Sequence, residues 1–121
     1  MVGICSYGGY IPRYRLNRKD ILEVIGWINP ALIAQGKGEK AVANFDEDTI
    51  TMAVAAGIDC LEGIDRSRQE GVYFASTSMP YKERLNAGII KEALAFKDHV
   101  RAADFGGALK AGTTALLSAL L

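Results

Sequence analysis

Few residues in this chain have the type and spacing for chemistry. The first place is the turn Gly106-Gly107-Ala108-Leu109, which carries a strand-like run, Val100 to Phe105, into a helix that starts at Lys110. A turn from a strand end into a helix suits a nucleophile, because the helix N-terminus stabilises negative charge. None of the four side chains in this turn can attack a carbonyl. The second place is the loop Thr77 to Tyr81, which follows the run Gly71 to Ser76. Right-handed crossovers between parallel strands bring both loops to one sheet edge, where sites form.

The remaining reactive types are scattered. Cys5 and Cys60 are the only cysteines; neither stands in a C-x-x-C motif or beside a histidine, and both read as small core residues in a reducing compartment. His99, the one histidine, sits in a linker without a partner and reads as inert. Asp46, Glu47 and Asp48 precede a helix and suit its macrodipole. A calcium loop would also need a glycine and a distal glutamate at set spacing, so no metal site is expected. Gly106-Gly107 lacks the Gly-Lys-Ser/Thr of a phosphate loop and the third glycine of a dinucleotide fingerprint. Lys110 could touch a phosphate, with Gly106 and Gly107 as weak companions. Lys82, Glu83 and Arg84 read as a solvated loop.

Bulk properties narrow the class. The chain has 121 residues, half of them hydrophobic, with 14 basic and 14 acidic residues. This is one globular domain, spanning residues 1–121, and not a disordered segment. A balanced charge without a basic run argues against nucleic acid. The uncharged stretch Ala111 to Leu121 is too short for a membrane span, and MVGICSYGGY lacks the basic start of a secretory signal. The expected location is the cytoplasm.

The elements that position the two loops follow from periodicity. Val2 to Ser6 reads as a buried strand, and Gly8 to Pro12 as a loop. Arg18 to Trp27 is a helix capped by Asn17, and Pro30 opens a short helix through Ile33. Gln35 to Asn44 reads as a surface loop. Asp46 to Thr49 opens a helix with Ile50, Val54, Ile58 and Leu61 on one face. Gly57 in its interior costs about 1 kcal/mol against alanine, so a close neighbour is expected there. Asp65 to Glu70 is a charged linker, and Leu85 to Leu94 a helix. The order β-α-α-β-α-β-α predicts an α/β fold with a mixed, mostly parallel sheet. The final helix has no charge after Lys110, so burial on all sides is expected. It ends without a capping signal, which predicts a covering partner or a larger fold of which this is the front part.

GICSYGGYIPRYR, GEKAVANFDEDTITMAV, VYFASTSMPYKERLNAGII and AADFGGALKAGTTAL run in an order and spacing that resemble hydroxymethylglutaryl-CoA synthases, most closely the archaeal and bacterial branch. These are condensing enzymes of the thiolase superfamily. The resemblance covers essentially the whole chain and corresponds to the amino-terminal third of a family member. It implies a thiolase-like fold, amino-terminal part only. In the family a cysteine precedes the KAGT-like segment and takes up the acyl group as a thioester; the matching position here is Leu109. A glutamate in a GSES-like loop serves as acid/base; the matching position is Thr77, whose hydroxyl is no general base near neutral pH without a partner. His99 does not match the family's histidine. The resemblance therefore implies a divergent protein of acyl-CoA carbon–carbon condensation or cleavage with no intact catalytic residue. The alternative is a catalytically silent structural subunit or truncated remnant. It further implies no cofactor beyond a coenzyme A thioester as substrate, a homo- or hetero-oligomer formed through Val100 to Phe105, and a zinc-ribbon/OB-fold protein as partner.

Overall fold

A computed structural model describes residues 3–121. The chain divides into two compact units, one of residues 11–47 and one that joins the segment before residue 11 to residues 48–121.

In the smaller unit, β1 (Tyr14–Asn17) pairs antiparallel with β2 (Glu39–Val42), from Tyr14 opposite Val42 to Asn17 opposite Glu39. Asn17 then caps α1 (Arg18–Ile25) by accepting from the Lys19 N–H at 2.9 Å. The expected helix stops two residues early. Gly26 donates to the Leu22 carbonyl at 2.8 Å, and Trp27 lies exposed beyond it. Asn29 caps a 3-10 helix, Pro30–Gln35, that runs past Ile33. The stretch Gln35 to Asn44, read as a loop, holds β2. Its Glu-Lys-Ala-Val sequence has no apolar alternation, and the ladder to β1 makes it a strand.

The larger unit is built on a parallel pair, β3 (Gly71–Ala75) and β4 (Arg101–Phe105), in register from Gly71 opposite Arg101 to Ala75 opposite Phe105. The connection carries α3 (Asn86–Ala93). On one face, α3 and α2 (Thr49–Cys60) close a core of Ile50, Phe74, Ala87, Ile90 and Leu94. Full burial of a leucine- or phenylalanine-sized side chain stabilises by about 1.5–3 kcal/mol each. Asp48 caps α2 by accepting from Ile50 N–H at 2.9 Å and Thr51 N–H at 2.8 Å, and the Thr51 hydroxyl oxygen accepts from the Asp48 N–H in return. The expected close neighbour of Gly57 is Leu94: a Cβ there would stand 3.0 Å from Leu94 Cδ1. The turn after α3 passes through Ala95, whose φ of 55° lies in the left-handed region, and Phe96 N–H closes it on the Lys91 carbonyl.

The other face of the pair carries α4 (Ala111–Leu120). Tyr73 and Phe105 lie side by side there, their rings tilted by 44° with centroids 5.8 Å apart. Ala111 and Ala115 are buried, whereas Leu116 and Leu117 are 48% and 55% exposed. Burial on all sides, expected from composition, is thus corrected: within this chain α4 buries one face.

The expected first strand is also corrected. Val2 lies outside the described residues, and residues 3–6 pair with no strand; Ile4 is 74% exposed. An apolar run becomes a strand only where a neighbour takes its backbone groups. This segment is instead fastened to the end of α2. Ser6 Oγ donates to the Cys60 carbonyl at 2.8 Å, and Gly9 N–H to Asp59 Oδ2 at 2.9 Å. A Cβ on Gly8 would collide with the Cys60 nitrogen and the Ala56 carbonyl oxygen.

Candidate functional site

The loops after β3 and β4 meet at one edge of the parallel pair. Ser76 N–H extends the ladder to the Phe105 carbonyl at 3.1 Å. Beyond it the chains stay together: a Cβ on Gly106 would lie 3.5 Å from both the Ser76 carbonyl oxygen and Met79 Cε. Gly107 follows with φ of 79°, a conformation natural to glycine. The elbow therefore uses its glycines to turn sharply beneath the Ser76–Met79 loop.

Leu109 completes this turn and is 96% exposed. A leucine there contributes no packing within the chain and offers no reactive atom. Lys110 precedes α4 without a side-chain capping bond, and its carbonyl accepts from Thr114 N–H at 3.1 Å and the Thr114 hydroxyl at 3.2 Å. Thr77 is exposed in the facing loop, between Ser76 and Ser78. Their two hydroxyl oxygens lie 3.4 Å apart, and Ser76 Oγ also accepts from the Ser78 N–H at 3.1 Å. Hydroxyl nucleophiles need an adjacent base. His99 precedes β4 and so lies at its opposite end, on the order of 15–20 Å of extended chain from the elbow. Lys82, Glu83 and Arg84 are exposed, with the Arg84 guanidinium 5.7 Å from the Tyr81 ring centre. Both cysteines were read as core residues; Cys5 is exposed and Cys60 half-buried, because the segment that carries Cys5 forms no strand.

A fixed framework holds the loop in place. Asn86, 1% exposed, opens α3 and divides its amide between that loop and β4. Its Oδ1 accepts from Tyr81 N–H at 3.2 Å; its Nδ2 donates to the Tyr81 carbonyl at 2.9 Å, the Arg84 carbonyl at 3.2 Å and Asp104 Oδ2 at 2.8 Å. Asp104, on β4, also accepts the backbone N–H groups of Asn86 and Ala87, each at 2.7 Å. One carboxylate thus caps α3 from across the sheet, two residues before the elbow. Sequence spacing gave no sign of this pair, since the cap comes from 18 residues away rather than from the adjoining turn.

The fold can now be compared with known proteins. No family model matches the chain. Among solved structures, MvaS in complex with 3-hydroxy-3-methylglutaryl coenzyme A superposes with a TM-score of 0.82 at 24% identity, covering 98% of this chain and 29% of that one. A structure of Xanthomonas campestris OleA with bound lauric acid and lauroyl-CoA gives 0.84 at 19% identity, covering 98% and 38%. The β-ketoacyl-[acyl carrier protein] synthase III of Thermus thermophilus gives 0.78 at 21%, covering 97% and 37%. The fold is thiolase-like.

Curated relatives sharpen this. The hydroxymethylglutaryl-CoA synthase of Pyrococcus horikoshii is 38% identical over 121 residues, covering 98% of this chain. That of Methanococcoides burtonii is 41% identical over 120 residues, covering 95%. The chain spans about one third of these relatives' lengths, 33% and 34%. It is a partial hydroxymethylglutaryl-CoA synthase-like chain, related to the thiolase-like condensing enzymes.

Proposed function

We propose that this chain is a divergent acyl-CoA condensing-enzyme scaffold that forms no thioester of its own. What supports this reading is Leu109: the elbow is intact, and an inert, exposed side chain stands at the position that the resemblance matches to the family's nucleophile. Thr77 in the facing loop supports it, as the position matched to the acid/base is also occupied by a side chain that does not titrate near neutrality. The substrate class is a coenzyme A thioester, handled in carbon–carbon condensation or cleavage by groups that this chain does not carry. Oligomerisation through Val100–Phe105 and association with a zinc-ribbon/OB-fold protein belong to the same proposal.

The second reading is a silent structural subunit or remnant. The isolation of His99 from the elbow favours it, since the chain's one histidine stands at the far end of β4 from the turn. The test is intact-mass measurement after incubation with acetyl-CoA or acetoacetyl-CoA. The wild-type chain is expected to gain no adduct; a stable acyl adduct would overturn the proposal. Leu109→Cys with Thr77→Glu separates the two readings. Acylation of that variant supports a retained coenzyme A surface, and its failure supports the silent subunit.

A further inference from the structure

We propose that the smaller unit holds a binding site for a short aliphatic carboxylate, between α1 and the 3-10 helix that follows it. This inference does not rest on the reading of Leu109 and Thr77, since the whole site lies within residues 18–40. A cavity of about 140 Å³ opens there. Its walls are aliphatic: Ile21, Leu22 and Ile25 from α1, and Leu32 from the 3-10 helix. Glycine at position 36 lets that helix end against Leu22, as a Cβ there would stand 2.6 Å from Leu22 Cδ1. The chain does not seal these walls itself. Ile21 and Leu22 stay half-buried, and Ile25 is 38% exposed.

Charge and size name the ligand. Arg18 and Lys40 line the same cavity, and among the described residues no carboxylate does. Arg18 opens α1, and its N–H donates to the Gly38 carbonyl at 3.0 Å, which ties the start of the helix to the turn before β2. Lys40 follows on β2, opposite Leu16 in the ladder. Among the described residues neither side chain has an ion pair or a hydrogen bond. The positive end of the α1 dipole adds to the same sign. A guanidinium binds a carboxylate through two parallel hydrogen bonds, and an ammonium adds a point charge. A protein cavity of about 150 Å³ with apolar walls takes up benzene, so the tail that fits here has roughly five or six carbons. Acetate would meet the cations and leave the walls wet. A neutral hydrocarbon would fill the walls and leave the cations unused.

The test titrates hexanoate, hexanamide and acetate into the methyl-labelled 121-residue chain and follows the methyl resonances of Ile21, Leu22, Ile25 and Leu32. Hexanoate is expected to shift them saturably and acetate to leave them in place. Hexanamide, which keeps the tail and loses the charge, is expected to bind about tenfold more weakly or worse. Arg18→Gln with Lys40→Gln is expected to weaken hexanoate by about the same factor and to leave hexanamide as it was. The comparison of acid with amide uses the wild-type chain, so it decides the matter even where the double variant folds poorly. Unshifted methyls, equal binding of acid and amide, or hexanoate binding indifferent to the substitutions in a folded variant would each overturn the proposal. Displacement of hexanoate by coenzyme A would also overturn it, by merging the cavity with the acyl-CoA surface proposed above.

Discussion

Replacing Asn86 with alanine isolates the contribution of the framework beneath the candidate site. The substitution deletes the acceptor of the Tyr81 N–H and the side-chain donor to Asp104 Oδ2, both part-buried. Asp104 keeps two backbone donors, so the carboxylate is weakened rather than stranded. The Tyr81 N–H and the Tyr81 and Arg84 carbonyls lose a partner and Asp104 loses one of three donors; each group left dry and unpaired costs about 1–3 kcal/mol. Alanine returns up to about 0.5 kcal/mol of helix propensity. The net expectation is about 2–4 kcal/mol, which for a domain of this size lowers the melting temperature by roughly 10 °C. Urea titration measures the energy, and hydrogen exchange over 79–85 locates it. Asn86→Asp is the size-matched control: it removes the donor and sets a second carboxylate against Asp104, and is expected to cost at least as much at pH 7. A loss below about 0.5 kcal/mol, or a loss without faster exchange in the loop, would refute the assignment.

Three further outcomes follow from the same geometry. Gly8→Ala drives a methyl group into the Cys60 and Ala56 backbone, so a loss of about 1–3 kcal/mol is expected, with faster exchange over residues 3–10. Leu109→Ala, at an uncovered position, is expected to change stability by less than about 0.5 kcal/mol in a urea titration; a larger cost would show that the elbow side chain is packed. Asp65 has its carboxyl held below the ordinary value of 3.8 by hydrogen bonds from Ser67 and then by the charges of Arg68 and Lys97. Its folded value is depressed, so its contribution is present above the ordinary carboxylate range and disappears as pH falls through the folded value. Wild type and Asp65→Asn should therefore differ in melting temperature at pH 7 and converge as the pH falls below the ordinary carboxylate range.

What could be read from sequence depended on whether a segment's partners were near it. β3 and β4 were legible because Val-Tyr-Phe and Ala-Ala-Asp-Phe lie in a buried pair, and α3 because Ile89, Ile90 and Leu94 repeat at helical spacing. The cap at Asn17 was legible because a cap acts over two or three residues, and the acids before α2 marked where that helix opens. β1 and β2 were not, because Tyr-Arg-Leu-Asn and Glu-Lys-Ala-Val are strands only through the ladder that joins them. Residues 3–6 failed in the opposite sense, apolar without a neighbour to pair with. At the site, the elbow and its facing loop were found by their glycines and their position after strands. The Asp104–Asn86 clamp was missed because a strand carboxylate that caps a distant helix leaves no local pattern.

The compactness of the parallel pair has a kinetic consequence. Every rung from Gly71–Arg101 to Ala75–Phe105 joins residues 30 apart, and the Asp104–Asn86 clamp spans only 18. β3, α3 and β4 can therefore close with a short loop and bury Phe74, Ala87 and Ile90 at once, before α4 has anything to pack on. This assigns the folding nucleus to residues 71–105 and makes α4 a late addition. In stopped-flow experiments Ala87→Gly should chiefly slow refolding, whereas Ala115→Gly should chiefly speed unfolding. A reversal of that pattern would place the nucleus at the final helix instead. A chain that closes residues 71–105 first sets both site loops before α4 is in place.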